Sequence, residues 1–230
     1  MSRQPASGTP AVDRPSLTGP QEAAVARLAY ATAQAGAIAV LCGPAGVGKT
    51  TVLRALADDG LPQGRIGRLM AWSDIRADRW VAVANEDDSV AGVLLLDDAH
   101  RAAAHELGAF VEWHRGESRG AALVLAGEGR LLSLVAADSR LEQSLRLRAV
   151  LPTFTLAESR RLLASALAVD GEEEHAEDVV RTIHEIAGGV PAISLRLAEM
   201  TAMLAAADRH RRLAADDVEA IHRRLSLSAA

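Results

Sequence analysis

The sequence predicts an α/β fold in which a parallel sheet is covered on both faces by helices and is followed by a smaller all-helical region. Two observations predict this arrangement. Short apolar runs alternate with helix-length segments as far as about residue 153, and no strand pattern follows them. Alternation of this kind is typical of parallel sheets whose crossover connections are helices. The hydrophobic content of 49% suffices for a packed core, and with only 3% aromatic residues that core must be mainly aliphatic.

The predicted strands are short apolar stretches. They occupy residues 37–42, 66–70, 92–96, 122–126 and 145–151. The first, at 37–42, is apolar throughout, which indicates a strand buried in a parallel sheet. Helical periodicity begins near Pro20, resumes after the first strand as far as Ala57, and recurs at about 101–115.

Beyond Leu151 the pattern is helical only. Amphipathic helices are predicted at 156–167, 176–187, 191–206 and 215–225. Asp216 is placed to cap the last of them. We therefore predict a flexible, proline-containing leader at 1–19, a core at 20–153 and a helical lid at 154–230.

The clearest chemical signal is a glycine-rich loop between the first predicted strand and the next helix. It matches the pattern G-x-x-x-x-G-K-[ST] at every fixed position. The matching residues are Gly43, Pro44, Ala45, Gly46, Val47, Gly48, Lys49 and Thr50, followed by Thr51. Glycines let backbone N–H groups converge on phosphate oxygens, and the helix that follows adds its positive dipole end. Lys49 is expected to reach the phosphates and Thr50 to bind Mg²⁺, so the predicted cofactors are ATP and Mg²⁺.

A second acidic signal follows the third predicted strand. The run Val93–Leu96 ends in Asp97 and Asp98, at the strand end where open α/β sheets bind ligands. We expect Asp97 to hold Mg²⁺ beside Thr50. Asp98 either polarises the attacking water or caps the next helix, and general-base reach favours the water. His100 either senses the terminal phosphate or lies on the helix surface, and we expect the surface position.

Net charge, cysteine content and apolar run length indicate which partners and which compartment the chain suits. A net charge of −5 argues against a surface that coats nucleic acid broadly, because such a surface needs many cations, although a local basic patch stays open. Cys42 is the only cysteine, so an internal disulfide is excluded, and we expect it to pack as a small buried hydrophobe. No apolar run approaches the roughly 20 residues that cross a bilayer, so we expect a cytoplasmic protein without membrane insertion.

These residues resemble the AAA+ ATPases. More narrowly, the chain is similar to the general secretion pathway ATPase A and the transposition ATP-binding helper proteins, from about residue 17 to 225. The supporting segments are Leu17-Thr18 before a helix, GPAGVGKTT, LLLDDAH, ALVLAGEGRL, LEQSLRLRAVLP, GGVPAISLRLAEM and DDVEAIHRRL. The resemblance implies a three-layer αβα P-loop NTPase core, a helical lid, and ATP bound between them.

The resemblance also implies self-association that depends on nucleotide, with an arginine of one subunit reaching the nucleotide of its neighbour. Arg146 and Arg148 are the arginines proposed for that role, although their spacing also suits one solvent-facing side of a strand. Glu128 stands where the family has a sensor at the end of the fourth strand. Pro191 begins the lid segment that meets the nucleotide, and Arg196 stands one turn beyond Ala192, where the family often has arginine.

Two classes of function remain open. One is a nucleotide-driven ATPase that assembles and acts on a protein partner, with either DNA transposition or secretion machinery as its client. The other is a regulatory module that binds nucleotide and turns it over slowly, as in signal-transduction ATPases. Asp98 in place of glutamate, Ser144 in place of a basic residue and Ala192 in place of arginine weaken the case for fast hydrolysis.

Overall fold

The computed structural model describes residues 17–61, 65–75, 92–117, 120–164, 167, 173–207 and 214–228. Residues 1–16 of the predicted leader lie outside the described residues. The leader and the division at 153–154 therefore stay predictions.

The core of the fold is a five-stranded parallel sheet with the order β2-β3-β4-β1-β5. Its strands are β1 (Ile38–Cys42), β2 (Gly67–Ala71), β3 (Val93–Asp97), β4 (Ala122–Gly127) and β5 (Leu145–Val150). Each predicted apolar stretch is thus confirmed as a strand. Since β4 lies between β1 and β3, the carboxyl ends of these three strands meet at one edge of the sheet, where α/β folds bind ligands.

Helices cover both faces of this sheet. They are α1 (Gly19–Thr32), α2 (Lys49–Ala55), α3 (Ala104–Glu117), α4 (Gly129–Ala137) and α5 (Ser139–Ser144). Side chains alternate along each strand, so Ala39 and Leu41 pack towards α1 and α2, whereas Ile38 and Val40 pack towards α3, α4 and α5. The arrangement is a three-layer αβα core.

The second helix ends earlier than its periodicity predicts. Its α-helical part stops at Ala55, and residues Leu56–Gly60 continue as one π-helical turn. Leu56 remains fully buried in the same core, and Ala57 is packed against it. The apolar pattern that suggested an α-helix through Ala57 is therefore satisfied by a wider turn.

The remaining helices form a smaller cluster with its own apolar core. They are α6 (Leu156–Leu163), α7 (Glu173–Ala187), α8 (Pro191–Ala207) and α9 (Ala215–Ser228). Leu163, Val179, Ile183 and Val218 are its most deeply buried large side chains. Asp217, not the predicted Asp216, supports the start of α9, because its Oδ2 accepts a hydrogen bond from the Ala214 N–H at 3.1 Å.

A backbone hydrogen bond joins the strand side of the molecule to this cluster. The Phe154 N–H donates to the Gly189 carbonyl at 2.8 Å, just before α8 begins. Gly189 has φ 69°, a left-handed conformation that glycine adopts without strain. Among the described residues, no helix is both long enough and apolar enough to cross a membrane.

Candidate functional site

The glycine-rich loop runs from the end of β1 to the start of α2. Gly46 and Gly48 have φ values of 74° and 101°, which a side chain would strain. The loop is tied to the sheet, because the Gly43 N–H donates to the Gly127 carbonyl at the end of β4 at 3.2 Å. Pro44, Ala45 and Gly46 are exposed, so the crown of the loop is open to a ligand.

Lys49 is bound to the loop by its side chain. Its Nζ donates to the carbonyl oxygens of Gly43 at 3.0 Å and Pro44 at 2.8 Å. The residue is only 7% exposed, so its ammonium group contacts the loop rather than solvent. Carbonyl oxygens are weaker partners for an ammonium than phosphate oxygens, since hydrogen bonds between two charged groups are the stronger ones. An anion above the loop can therefore draw Nζ towards itself.

The second acidic signal meets the loop as predicted. The Thr50 hydroxyl donates to Asp97 Oδ2 at 2.5 Å, although the two residues are 47 positions apart in the chain. The other oxygen of that carboxylate, Oδ1, accepts the backbone N–H of Asp98 at 2.9 Å. Asp97 is thus fixed from both sides, at the carboxyl end of β3 and directly beside the first turn of α2.

This donor set fits a hard divalent cation. A hydroxyl oxygen and a carboxylate oxygen are the ligands that Mg²⁺ takes from proteins, usually with water and phosphate oxygens completing its shell. Thr50 and Asp97 supply one of each at contact distance. Among the described residues, no group of three or more His, Cys, Asp or Glu side chains is placed to hold a metal ion.

Asp98 has an unusual backbone. It is the non-glycine residue with positive φ among those described, at 56°, in the left-handed region that costs most side chains energy. Its side chain makes no capping hydrogen bond to the short 3₁₀ turn Ala99–Arg101 that follows. The carboxylate instead faces Arg101 Nε at 3.5 Å and is 43% exposed. The capping alternative is therefore wrong, whereas a role towards a bound ligand stays open.

His100 is not on the helix surface, contrary to expectation. Its side chain is 13% exposed, and Nε2 lies 3.5 Å from Glu128 Oε1. Glu128 itself directly follows β4 and precedes α4, so the structure brings Glu128 to the same edge of the sheet as Asp97 and Asp98.

The two predicted arginines lie elsewhere. Arg146 and Arg148 are exposed on β5, the edge strand next to β1, and the pairing register of β5 with β1 shifts at Arg146. Arg148 donates to Glu142 Oε1 at 2.8 Å, on the α5 side of the sheet. Arg146 lines a groove of about 600 Å³ between α1 and β5, together with Tyr30 and Leu147. The two arginines therefore lie on different sides of β5, and the interpretation in which they share one solvent-facing side is wrong.

The start of α8 reaches the loop directly. The Ala192 N–H donates to the Gly46 carbonyl at 3.2 Å. Pro191 is buried at the first position of the helix, and Arg196 is exposed one turn beyond Ala192. Ala192 of α8 thus borders the open crown of the loop, directly after Pro191.

Gln21 is a residue of this site that sequence reasoning missed. It is 5% exposed in the first turn of α1, and its Oε1 accepts the Thr18 N–H at 3.0 Å. Its Nε2 lies against Gly48, so close that a Cβ added there would stand 2.5 Å from it. The pattern T-x-x-Q, which marks helix starts, is the signal that could have identified it.

Cys42 ends β1 directly before the loop. It is 4% exposed and belongs to the core beneath α3 and α4, so its predicted role as a buried hydrophobe is confirmed. Burial raises the pKa of its thiol, although the Gly43 backbone and the Lys49 charge act in the opposite direction. The thiol therefore stays protonated at neutral pH and is a poor nucleophile.

Comparison of the chain with protein-family models and with curated proteins finds no match. Solved structures do match. RuvB from Thermotoga maritima, a Holliday junction branch migration motor, has a TM-score of 0.61 and 19% identity, over 85% of this chain and 64% of that one. The ADP form of the ORC2 protein from Aeropyrum pernix has a TM-score of 0.64 and 18% identity, over 89% of this chain and 68% of that one.

The chain spans 63% to 64% of the length of the first RuvB structures that it matches. Identities of this size establish a common fold. The chain thus shares its overall fold with these RuvB and ORC2 structures.

Proposed function

We propose that this protein is an AAA+-type ATPase that binds ATP with Mg²⁺ on the loop Gly43–Thr51. The observation that carries the proposal is the contact between the Thr50 hydroxyl and Asp97, which joins the loop to the end of β3. A glycine-rich loop alone is a common anion site. A loop whose hydroxyl is paired with a carboxylate from a neighbouring strand is suited to an anion that carries a divalent cation.

Each residue of the site then has a role. The loop backbone holds the phosphates, and Lys49 exchanges its carbonyl partners for phosphate oxygens. Thr50 and Asp97 hold Mg²⁺, which supplies charge neutralisation of the phosphates when bound. Asp98 orients the attacking water, and Glu128 lies at the same sheet edge as a sensor of the phosphate. In the lid, Pro191 and Arg196 of α8 are the residues that we assign to the nucleotide.

The exposed arginines of β5 support the proposal of assembly. Arg146 and Arg148 lie on the outer strand, where they are available to the nucleotide site of a second copy. An arginine supplied in trans is worth about 10³ or more in rate. We therefore propose an oligomer that forms or tightens when nucleotide is bound.

The client is a protein partner, DNA or both. Similarity in fold to RuvB, a branch migration motor, favours DNA as one client. The transposition helper and secretion ATPase resemblance of the sequence motifs leaves a transposition complex or a secretion machine as the larger assembly. We place this protein in the cytoplasm.

A slow nucleotide switch is the second candidate. Asp98 lies 3.5 Å from Arg101, Arg148 is paired with Glu142, and Ala192 stands where the resembled family often has arginine. Each of these features removes or restrains a charge that fast hydrolysis uses. They favour a protein in which binding changes conformation and hydrolysis only resets it.

The deciding experiment measures ATP turnover against protein concentration, with and without duplex DNA, beside the equilibrium affinity for MgATP. The ATPase proposal expects measurable turnover that rises with protein concentration. The switch expects tight binding with turnover near background at every concentration.

The matched control is Lys49→Ala, which removes the buried cation of the loop and is expected to abolish nucleotide binding. If Lys49→Ala retains full affinity for MgATP, the site assigned here is wrong. If the unaltered protein binds no nucleotide, both candidates are excluded.

A further inference from the structure

An imidazole lies between two carboxylates beyond the ends of β3 and β4. His100 Nε2 is 3.5 Å from Glu128 Oε1, and its Nδ1 is 3.9 Å from Asp98 Oδ1. The imidazole is 13% exposed, whereas the two carboxylates are 43% and 45% exposed. A nearly buried ring therefore stands between two half-open acids, one after each strand.

The ring is held firmly in this position. Gly127, the last residue of β4, packs against it so closely that an added Cβ would lie 3.0 Å from His100 Cβ and 3.2 Å from Nδ1. The His100 carbonyl also accepts a hydrogen bond from the Arg130 guanidinium of α4. His100 is thus fixed to the same segment that carries Glu128, although it belongs to the turn that follows Asp98.

One nitrogen of the ring is unsatisfied. Nδ1 is buried and has no hydrogen-bond partner among the residues that the structure describes. A neutral imidazole has a single N–H and can donate to only one of the two carboxylates at a time, whereas a ring with an N–H on each nitrogen can donate to both. Buried polar groups without partners are rare and often have a functional cause. Asp98 is the carboxylate that faces this nitrogen, at 3.9 Å.

We propose that His100 is a positioning residue that ties Asp98 to Glu128, so that the two carboxylates are oriented as one unit during ATP hydrolysis. The inference rests on the proposed function, in which Asp98 orients the attacking water. Aspartate is one methylene shorter than glutamate, and a short side chain depends more on where it is held. His100 provides a fixed point between Asp98 and the end of β4.

The same link reaches the phosphate loop. Glu128 follows Gly127, whose carbonyl accepts the Gly43 N–H at 3.2 Å. A change in the loop is therefore passed through one peptide bond to Glu128, and through His100 to Asp98. The orientation of Asp98 then depends on the state of the loop.

The kinetic test compares substitutions of His100 with a substitution of the other group that faces Asp98. His100→Ala is expected to lower the single-turnover rate about tenfold or more while MgATP affinity stays within about twofold, because misplacement of a reacting group mainly affects the chemical step. His100→Asn keeps a nitrogen near the Nδ1 position and His100→Gln keeps one near Nε2, so each is expected to restore part of the rate. Arg101→Gln is the control, since Arg101 also faces Asp98 but is 66% exposed.

Three kinetic outcomes overturn the proposal. One is a His100→Ala rate within about twofold of the unaltered protein, the range expected of a surface substitution. Another is an equal loss of rate in Arg101→Gln. The third is a loss that neither Asn nor Gln restores, which would assign His100 a purely structural role.

A spectroscopic test needs no hydrolysis. The imidazole nitrogens of His100 can be followed by long-range ¹H–¹⁵N NMR in the nucleotide-free protein, with the signals assigned by their loss in His100→Asn. Glu128→Gln is expected to shift the Nε2 signal and Asp98→Asn the Nδ1 signal, whereas Arg101→Gln leaves both in place. Unchanged signals in both acid variants overturn the link. If the unaltered protein fails to hydrolyse ATP, the proposed ATPase activity is lost, and the NMR result alone decides whether the link exists.

Discussion

The hydroxyl of Thr50 and the carboxylate of Asp97 lie 2.5 Å apart, across 47 positions of sequence. Thr50→Val keeps the shape of the side chain and removes the hydroxyl. Losing an interaction with a charged group costs roughly 1.5–3 kcal/mol, so ATP affinity in the presence of Mg²⁺ is expected to fall about ten- to a hundredfold. Titration with a fluorescent ATP analogue measures this affinity, and the same titration in EDTA is the control.

An equal loss of affinity with and without Mg²⁺ would contradict the role of Thr50 as a ligand of the metal. Thr50→Ser keeps the hydroxyl, so in this variant Mg²⁺ should still raise the affinity for ATP.

Gly48→Ala is expected to destabilise the fold by about 1–3 kcal/mol, because φ is 101° and the new Cβ meets Gln21 Nε2. Urea unfolding measures the change. Gly116→Ala is the matched control: that glycine is inside α3 with open space around it, so alanine should stabilise by about 0.5–1 kcal/mol. Repeating Gly48→Ala in a Gln21→Ala background separates contact from backbone strain. If the cost is unchanged there, Gln21 does not contribute to it.

Arg148→Ala is expected to leave MgATP affinity intact and to remove most of the turnover that depends on protein concentration. A mixture of Arg148→Ala with Lys49→Ala should recover turnover that neither variant shows alone, because one supplies the intact loop and the other the intact arginine. Arg146→Ala is tested in the same mixture to identify which arginine acts. Arg181→Ala is the control, since Arg181 is a lid arginine with surface ion pairs only. Absence of recovery with both β5 arginines would exclude them as trans-acting groups.

Burial lowers the pKa of His114 from its ordinary value of 6.5, with the Ala121 carbonyl acting weakly the other way. Its ring is 4% exposed, and Nε2 lies 3.1 Å from that carbonyl oxygen. Since the folded pKa is below the unfolded one, the unfolded chain binds more protons as pH falls below 6.5. The free energy of unfolding should therefore decrease as pH falls through 6.5, and well above 6.5, where neither state binds the proton, His114 should contribute no slope.

His114→Gln should flatten that slope. His105→Gln, on the exposed side of the same helix α3, should leave it unchanged. The measurement is urea unfolding at a series of pH values, with the difference between each variant and the unaltered protein isolating the histidine from the carboxylates. A slope that persists in His114→Gln would assign it to other groups.

The strands and the phosphate loop were predictable because their signals are local. The apolar runs of β1, β3 and β4 form the buried centre of the sheet, and the glycine spacing from Gly43 to Lys49 indicates the backbone conformation of the loop. Asp97 was predictable for the same reason, since its place depends only on where β3 ends.

What the sequence did not predict depends on contacts between distant segments. Gln21 reaches Gly48 only because α1 packs beside α2, and periodicity within one helix contains no such information. The ring of His100 is buried because β4 brings Gly127 against it, whereas its own turn suggested a surface position. The left-handed backbone of Asp98 was likewise invisible, because aspartate gives no sign of φ comparable to that of glycine.

The hydrogen bond from the Ala192 N–H to the Gly46 carbonyl joins the lid helix α8 to the crown of the phosphate loop. A ligand that reshapes this crown must also strengthen or weaken that bond. If a partner binds the helical cluster and displaces α8, it must change the affinity for nucleotide. By thermodynamic reciprocity, nucleotide then changes the affinity for that partner by the same factor. The position of α8 and the occupancy of the loop are thus coupled in one equilibrium.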